Sequence, residues 1–289
     1  MSAPHLAVIG LGLIGGSLAR ALRSAGAVGG VSGFDTDARQ RSLAVELGVV
    51  EQAPDSPAAA VARADLVVLA VPVLRTAEAL RAVLPALPPG AVVTDVGSTK
   101  QSVLADVAAA CGRLPGWFVA GHPIAGTEKS GVVHAAADLF HNRRVILTPH
   151  AEQDAAALQR VAAMWSAAGA RVVHMDPVRH DAVFAATSHL PHVLAYSFVD
   201  MLARLDTGHE IFPNAGGGFR DFTRIASSSP EMWHDIVRAN AGPVTQLLER
   251  QIGELGEVLA LMRAGRWDEV RERFERARAA RERHLAQIE

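Results

Sequence analysis

Three stretches of this chain combine residue types and spacings that can do chemistry. Gly10-Leu11-Gly12-Leu13-Ile14-Gly15 has the G-x-G-x-x-G spacing. In that pattern the first glycine permits a tight turn, the second lets backbone approach a pyrophosphate, and the third lets a helix pack closely on a strand. A helix opening through Leu13 and Ile14 offers unpaired N–H groups to phosphates. Further on, Ala120 to Glu128 sets His122 among glycines and a proline. That composition predicts a rigid loop presenting an imidazole to a cleft, the group suited to proton transfer near neutral pH. Far downstream lie Thr187-Ser188-His189-Leu190-Pro191-His192, then Gly216 to Ala226 with Arg220 and Arg224, then Trp233.

These residues need elements to hold them. His5 to Ile9 reads as a strand before the glycines and Ile14 to Ala25 as the helix after them. That context gives the glycine spacing its meaning. A second strand, Val28 to Phe34, ends at Asp35, where a carboxylate can accept from both hydroxyls of a ribose. The same carboxylate repels a 2′-phosphate, so NAD is favoured over NADP, with Arg39 one turn on softening the preference. Strands at Leu66 to Val71 and Ala91 to Asp95 are followed by Val71-Pro72 and by Gly97-Ser98. Ligands collect at strand carboxyl ends in open α/β sheets, which assigns Val71, Pro72 and Gly97 to the cofactor groove. Alternation with helices through Arg171 to Met175 predicts a mainly parallel sheet.

From Asp176 helical periodicity takes over. Asp176-Pro177 and Ser229-Pro230 have the form of an N-cap followed by proline at the first helical position. Pro191 should kink or interrupt a helix running to Phe198, and Gly242-Pro243 should separate the last helices. The fold class is therefore α/β: a Rossmann-type dinucleotide-binding domain over residues 1–175, then an all-helical substrate and dimerisation domain over 176–289. Such a helical domain exposes an apolar face, so a homodimer is expected.

Composition narrows the function. Hydrophobic residues make up 49% of 289, ample for a core, and the net charge is −2. That balance gives no electrostatic case for nucleic acid or an anionic membrane. Seven arginines against six acids over 266–289 read as a solvated helix face with paired charges. The single cysteine, Cys111, rules out an intrachain disulfide and reads as a small residue at a helix end. No apolar run is long enough for a membrane span, and a cytoplasmic location is expected. His189 and His192 stand three apart, but no third ligand with suitable spacing accompanies them, so no metal is expected.

Taken together, the glycine motif, the His122 segment, the His189–His192 pair and the Arg220–Arg224 stretch resemble the prephenate dehydrogenase family, which includes arogenate and cyclohexadienyl dehydrogenases. The resemblance runs from the glycine motif to about Trp233. It implies oxidative decarboxylation of prephenate to 4-hydroxyphenylpyruvate on the route to tyrosine, with hydride passing to NAD. His122 matches the family's catalytic histidine, and Ser98 the serine that hydrogen-bonds the same substrate hydroxyl. Arg224 matches the arginine that binds a substrate carboxylate. His192 and His189 match the paired histidines of the substrate pocket, with His192 the closer. Asp181 and Trp233 match wall positions; Thr127 and Glu128 close the His122 segment, and Glu128 with Arg220 matches an ion pair at the pocket mouth. The resemblance also leads us to expect neither a chorismate mutase domain before the chain nor a regulatory ACT domain after it, while tyrosine could inhibit by resembling the product.

Other readings stay open at this point. Prephenate and arogenate differ only in a keto or amino group, so an arogenate or dual-specificity enzyme fits the same motifs. A β-hydroxyacid dehydrogenase shares the layout but typically uses a lysine on the interdomain helix. Residues 179–203 contain none, and the chain has only Lys100 and Lys129. A dinucleotide-sensing dimer leaves the His122 and Arg224 segments unexplained.

Overall fold

The computed structural model describes residues 3–127, 129–285 and 287. The first half runs β1 (His5–Ile9), α1 (Leu13–Ser24), β2 (Gly30–Phe34), α2 (Ala38–Glu46), α3 (Pro57–Val61), β3 (Leu66–Leu69), α4 (Thr76–Val83), β4 (Val92–Asp95), α5 (Gln101–Cys111) and β5 (Phe118–Val119). All five strands pair in parallel, in the order β2-β1-β3-β4-β5. The chain leaves β1 in one direction to reach β2 and in the other to reach β3, so the carboxyl ends of β1 and β3 flank the switch point where ligands bind in such sheets. Gly10 follows β1 there, and Val71-Pro72 follow β3.

A second sheet follows, ordered β6-β7-β8: β6 (Gly121–Pro123), β7 (Arg144–Leu147) and β8 (Arg171–His174), with α6 (Ala155–Ala167) between the last two. The loop expected around His122 is therefore a strand, with His122 opposite Ile146. Three residues ending in proline give no alternation to read. Pro123 is tolerated because β6 is an edge strand and lacks a neighbour on one side.

Residues of β1 alternate between two apolar layers. Leu6 and Val8 join Leu18 and Leu22 of α1 and Trp165 of α6 in one buried cluster. Ala7 and Ile9 join Leu80 of α4 and Val103 of α5 in the other. Helices on both faces explain why β3 and β1 after His5 read as unbroken apolar runs.

α7 (Pro177–Phe184) opens at Asp176, whose side chain accepts from the amides of Val178 at 2.9 Å and Arg179 at 3.0 Å. A π turn, Ala185–His189, separates it from α8 (Leu190–Leu205). Pro191 lies in the first turn of α8, where its missing N–H is not needed. The interruption that proline predicts is this π turn just before it, and His189 rides on the turn. α9 (Gly217–Thr223) and α10 (Pro230–Ala239) follow, the latter capped by Ser229. Ile236 of α10 is buried in the same cluster as Ile9 and Leu80, and residues up to Ala241 form one compact unit.

Residues from Gly242 on form a second unit, built from α11 (Ala241–Arg263) and α12 (Trp267–Leu285). Gly242-Pro243 lies in the first turn of α11 rather than between helices; the break falls at Asn240. Arg273 pairs with Glu254 and Glu257 of α11, and Arg266, Arg271 and Arg278 pair with acids three or four positions away. Ile252, Leu255, Leu259 and Met262 are exposed along α11, as are Trp267 and Phe274 on α12. Among the described residues no helix is long and apolar enough to cross a membrane.

The motif glycines separate by what a side chain would meet. A Cβ at Gly15 would lie 2.2 Å from the Gly10 carbonyl oxygen and 2.7 Å from Val8, whereas one at Gly12 meets nothing within 4 Å. Gly15→Ala should therefore cost about 2 kcal/mol of stability. Gly12→Ala should cost less than about 1 kcal/mol. Urea unfolding of the two variants checks this, and equal losses would contradict it.

Candidate active site

The cradle after β1 fits a dinucleotide. Gly10 has φ +103°, and a Cβ there would sit 2.1 Å from the Ala70 carbonyl oxygen at the end of β3. Gly12 heads α1 with no side chain capping its amides and no acid in the first turn, formed by Leu13, Ile14 and Gly15. Open space beside a bare helix N-terminus suits a pyrophosphate. The two oxygens of Asp35 accept from the amides of Leu11 and Asp37, at 2.8 and 2.9 Å. Asp35 thus ties the glycine turn to the end of β2, and each oxygen keeps a second lone pair for a ribose hydroxyl. Capping of α2 falls to Asp37 instead. Val71 and Gly97 are half-buried, and Pro72 is exposed. The Gly97 amide donates to Asp95 at 2.7 Å.

Beyond β4 the chain builds a buried polar cluster. Lys100 Nζ donates to Asp95 Oδ2 and to the Gly121 carbonyl, both at 2.6 Å, and is wholly buried. Asp95 Oδ1 accepts from the Gly121 amide at 3.0 Å. This pair fixes the start of β6 and so the position of His122. His122 Nδ1 lies 2.8 Å from His180 Nε2, and His180 Nδ1 lies 2.8 Å from Asp181 Oδ1. The Asp181 carboxylate also accepts from the amides of Lys100 and Gln101, at 2.7 and 2.9 Å. The Phe184 ring packs 4.8 Å from His122 and 4.5 Å from His180.

Burial dominates the electrostatics here. It drives His122 well below the ordinary imidazole value, with His180, Lys100 and His189 adding to the effect. Burial also lowers His180, and the Asp181 bond opposes it only in part. For Asp181 burial pushes the carboxyl up, but the His180 bond and the Lys100 and Gln101 amides outweigh it and hold it below the carboxylate range. Burial brings His189 down to about 4. All three imidazoles are therefore neutral at physiological pH.

A line of side chains runs from His122 towards Arg224. His189 lowers His122, His192 lowers His189, and Arg224 lowers His192, so each feels the next. His192 stacks on Trp233, ring centroids 3.3 Å apart and planes 17° apart, and its Nδ1 meets the Ser188 carbonyl. His189 Nδ1 meets Asn240 at 3.0 Å, and Asn240 also donates to the Asp181 carbonyl at 2.8 Å. Arg224 is exposed at the end of α9.

The structure thus brings together His122, His189, His192, Trp233 and Arg224 from the residues the sequence singles out. Asp181 is buried and faces His180 and the start of α5 rather than open space. Ser98 is half-buried beyond β4, while Thr127 and Arg220 are exposed. Glu128 lies outside the described residues. His180, Lys100, Asn240 and Phe184 were not singled out by the sequence. The available signals were a histidine beside Asp181 one turn into a capped helix, and one of only two lysines just after a strand end.

These neutral histidines make stability depend on pH. Unfolded, each protonates near 6.5; folded, each does so lower, so the unfolded chain binds more protons between those values. Stability should fall as pH drops from about 6.5 towards 4, with His189 alone contributing roughly 3 kcal/mol of the loss. Asp181, also held below its ordinary value of 3.8, acts in the same sense at lower pH, so its contribution is lost only below that window. Denaturant unfolding at about pH 7.5 and pH 4.5 measures the difference, and His189→Gln should shrink it. Equal stability at the two values would contradict the burial argument.

Residues 18–174 match the prephenate dehydrogenase nucleotide-binding domain, and residues 176–276 match the prephenate dehydrogenase dimerization domain. Cyclohexadienyl dehydrogenase of Zymomonas mobilis is 36% identical over 96% of this chain and 94% of its own length. Prephenate dehydrogenase of Bacillus subtilis is 38% identical over 86% of this chain and 67% of its own. The crystal structure of prephenate dehydrogenase from A. aeolicus, in complex with hydroxyphenyl propionate and NAD+, superposes with a TM-score of 0.91 at 36% identity, over 98% of this chain and 99% of that one. Both family segments occur in order and such relatives span nearly the whole chain, so the protein belongs to the prephenate dehydrogenase family of oxidoreductases.

Proposed function

We propose that the protein catalyses the NAD-dependent oxidative decarboxylation of prephenate to 4-hydroxyphenylpyruvate on the route to tyrosine. The observation that carries this reading is a buried, neutral imidazole at His122, electrostatically linked through His189 and His192 to the Arg224 guanidinium. NAD, held by Gly10, Gly12, Gly15 and Asp35, supplies the acceptor for the hydride that leaves the hydroxyl-bearing ring carbon.

The residues do the rest. His122 accepts the hydroxyl proton as the hydride departs, and the hydroxyl carbon becomes a ring carbonyl. The ring carboxylate then leaves as carbon dioxide. Its bonding electrons flow through the ring to the carbonyl oxygen, which takes the proton back from His122. Proton and charge balance without an outside acid. Arg224 binds a substrate carboxylate through its planar fork of donors. Ser98 hydrogen-bonds the substrate hydroxyl, and the stacked His192 and Trp233 form a pocket wall, with His189 behind them. The family resemblance assigns Glu128 and Arg220 to an ion pair at its mouth, and Thr127 belongs to the same His122 segment.

We place the boundary between nucleotide and helical domains at Met175/Asp176, and we read the protein as a cytoplasmic homodimer. Four exposed apolar residues at helical spacing on α11 support the dimer, and a single cysteine supports a reducing compartment. Tyrosine, which shares the product's ring, is expected to compete for the same pocket.

Reduction of NAD, followed at the nicotinamide absorbance with prephenate and arogenate in parallel, tests the activity. Reduction with prephenate is expected; none with either substrate would overturn the proposal. His122→Asn should lower kcat by about 100-fold or more with little change in KM. Arg224→Ala should instead raise KM for prephenate by about 10- to 100-fold. Gly12→Ala should keep the fold and raise KM for NAD. Unchanged turnover in His122→Asn would remove that residue from its role.

A further inference from the structure

His180 was absent from the residues that the sequence singles out, yet it lies between His122 and Asp181 at 2.8 Å from each. The direction of hydrogen bonding along this chain is set by its far end. Asp181 accepts from the amides of Lys100 and Gln101, and its Oδ2 also from Gln101 Nε2 at 3.2 Å. Those donors and the His180 bond keep it ionised, and an ionised carboxylate can only accept. His180 must therefore carry its proton on Nδ1, facing Asp181. A neutral His180 then has a bare lone pair on Nε2. His122 Nδ1, opposite that lone pair, has to donate, since two lone pairs at 2.8 Å would repel. Neutral His122 has one N–H, so its Nε2 is left as the acceptor. Phe184 packs edge-on against His122 and tilted against His180, restricting rotation of both rings.

We propose that His180 is a positioning residue that transmits the Asp181 charge to His122 and fixes it as the Nδ1–H tautomer, with the Nε2 lone pair turned to substrate. This rests on the reading of His122 as proton acceptor. When His122 takes a proton at Nε2, its Nδ1–H becomes a charge-assisted donor to His180, with the Asp181 carboxylate behind it. Lys100 and His189 also face the chain, and with His180 they disfavour charge on His122; the anion of the chain is the Asp181 carboxylate, which meets His180 Nδ1.

Nitrogen NMR of the histidine-labelled protein at about pH 7.5, where imidazoles this far depressed are neutral, reads the tautomer directly. His122 signals are assigned by their loss in His122→Asn. The wild-type protein should show His122 Nδ1 protonated and Nε2 bare; the reverse would overturn the proposal without any His180 variant. His180→Phe keeps the ring volume and removes both bonds. It should lower kcat by about 10- to 100-fold, leave KM for prephenate nearly unchanged and let the second tautomer appear. His180→Gln, which returns an acceptor near His122, should recover part of kcat. If His122→Asn abolishes turnover while His180→Phe keeps both kcat and the tautomer, the positioning role fails and the acceptor reading stands. If His122→Asn keeps its turnover, the acceptor reading itself fails.

Discussion

The ammonium of Lys100 and the carboxylate of Asp95 meet at 2.6 Å with essentially no exposure of either, and the geometry of the site follows from that buried pair. Removing two ions from water costs several kcal/mol each, so such a pair is poor evidence of added stability. Its value lies in what it holds in place. Asp95 ends β4 and takes the amides of Gly97 and Gly121; Lys100 returns a bond to the Gly121 carbonyl. The backbone amide of the same lysine caps Asp181. One residue therefore ties the end of the nucleotide-side sheet, the strand that bears His122 and the helix that bears Asp181. The removal of either charge would leave the other buried and uncompensated.

The lysine of the same pair also bears on the electrostatics of the histidines beside it. Burial holds His122, His180 and His189 neutral, with the Lys100 cation adding to the effect on the first two, and only Asp181 carries a charge among them. A neutral imidazole that can take up a proton briefly and return it suits a reaction with no net proton release. The π turn at Ala185–His189 serves this arrangement from the other side. It adjusts the register between α7 and α8, so that Phe184 packs on His122 while His189 reaches Asn240. π turns inside helices recur at functional sites for this reason.

Much of this was legible in the sequence because it is local. The glycine spacing, the alternation of strand and helix, and the caps at Asp176 and Ser229 are decided by residues within a few positions of one another. The residues proposed to carry substrate chemistry, His122, His192 and Arg224, stood out through their neighbours and a family resemblance. Two things were not legible. The strand at Gly121–Pro123 is too short to show alternation and is formed by pairing with β7. His180 and Lys100 matter through contacts with residues 58 and 81 positions away, which no window of sequence displays. Asp181, expected in the pocket wall, looks into the protein for the same reason: its partners on α5 are brought to it by the fold.

The central claim is that a neutral, buried His122 accepts the substrate's proton. The pH dependence of kcat/KM for prephenate, in the wild-type protein and in His122→Asn, tests it most directly. An acid limb below the ordinary imidazole value of 6.5 in the wild-type enzyme, absent from the variant's residual activity, is the predicted result. The same limb persisting in His122→Asn would assign the proton to another group and contradict the account.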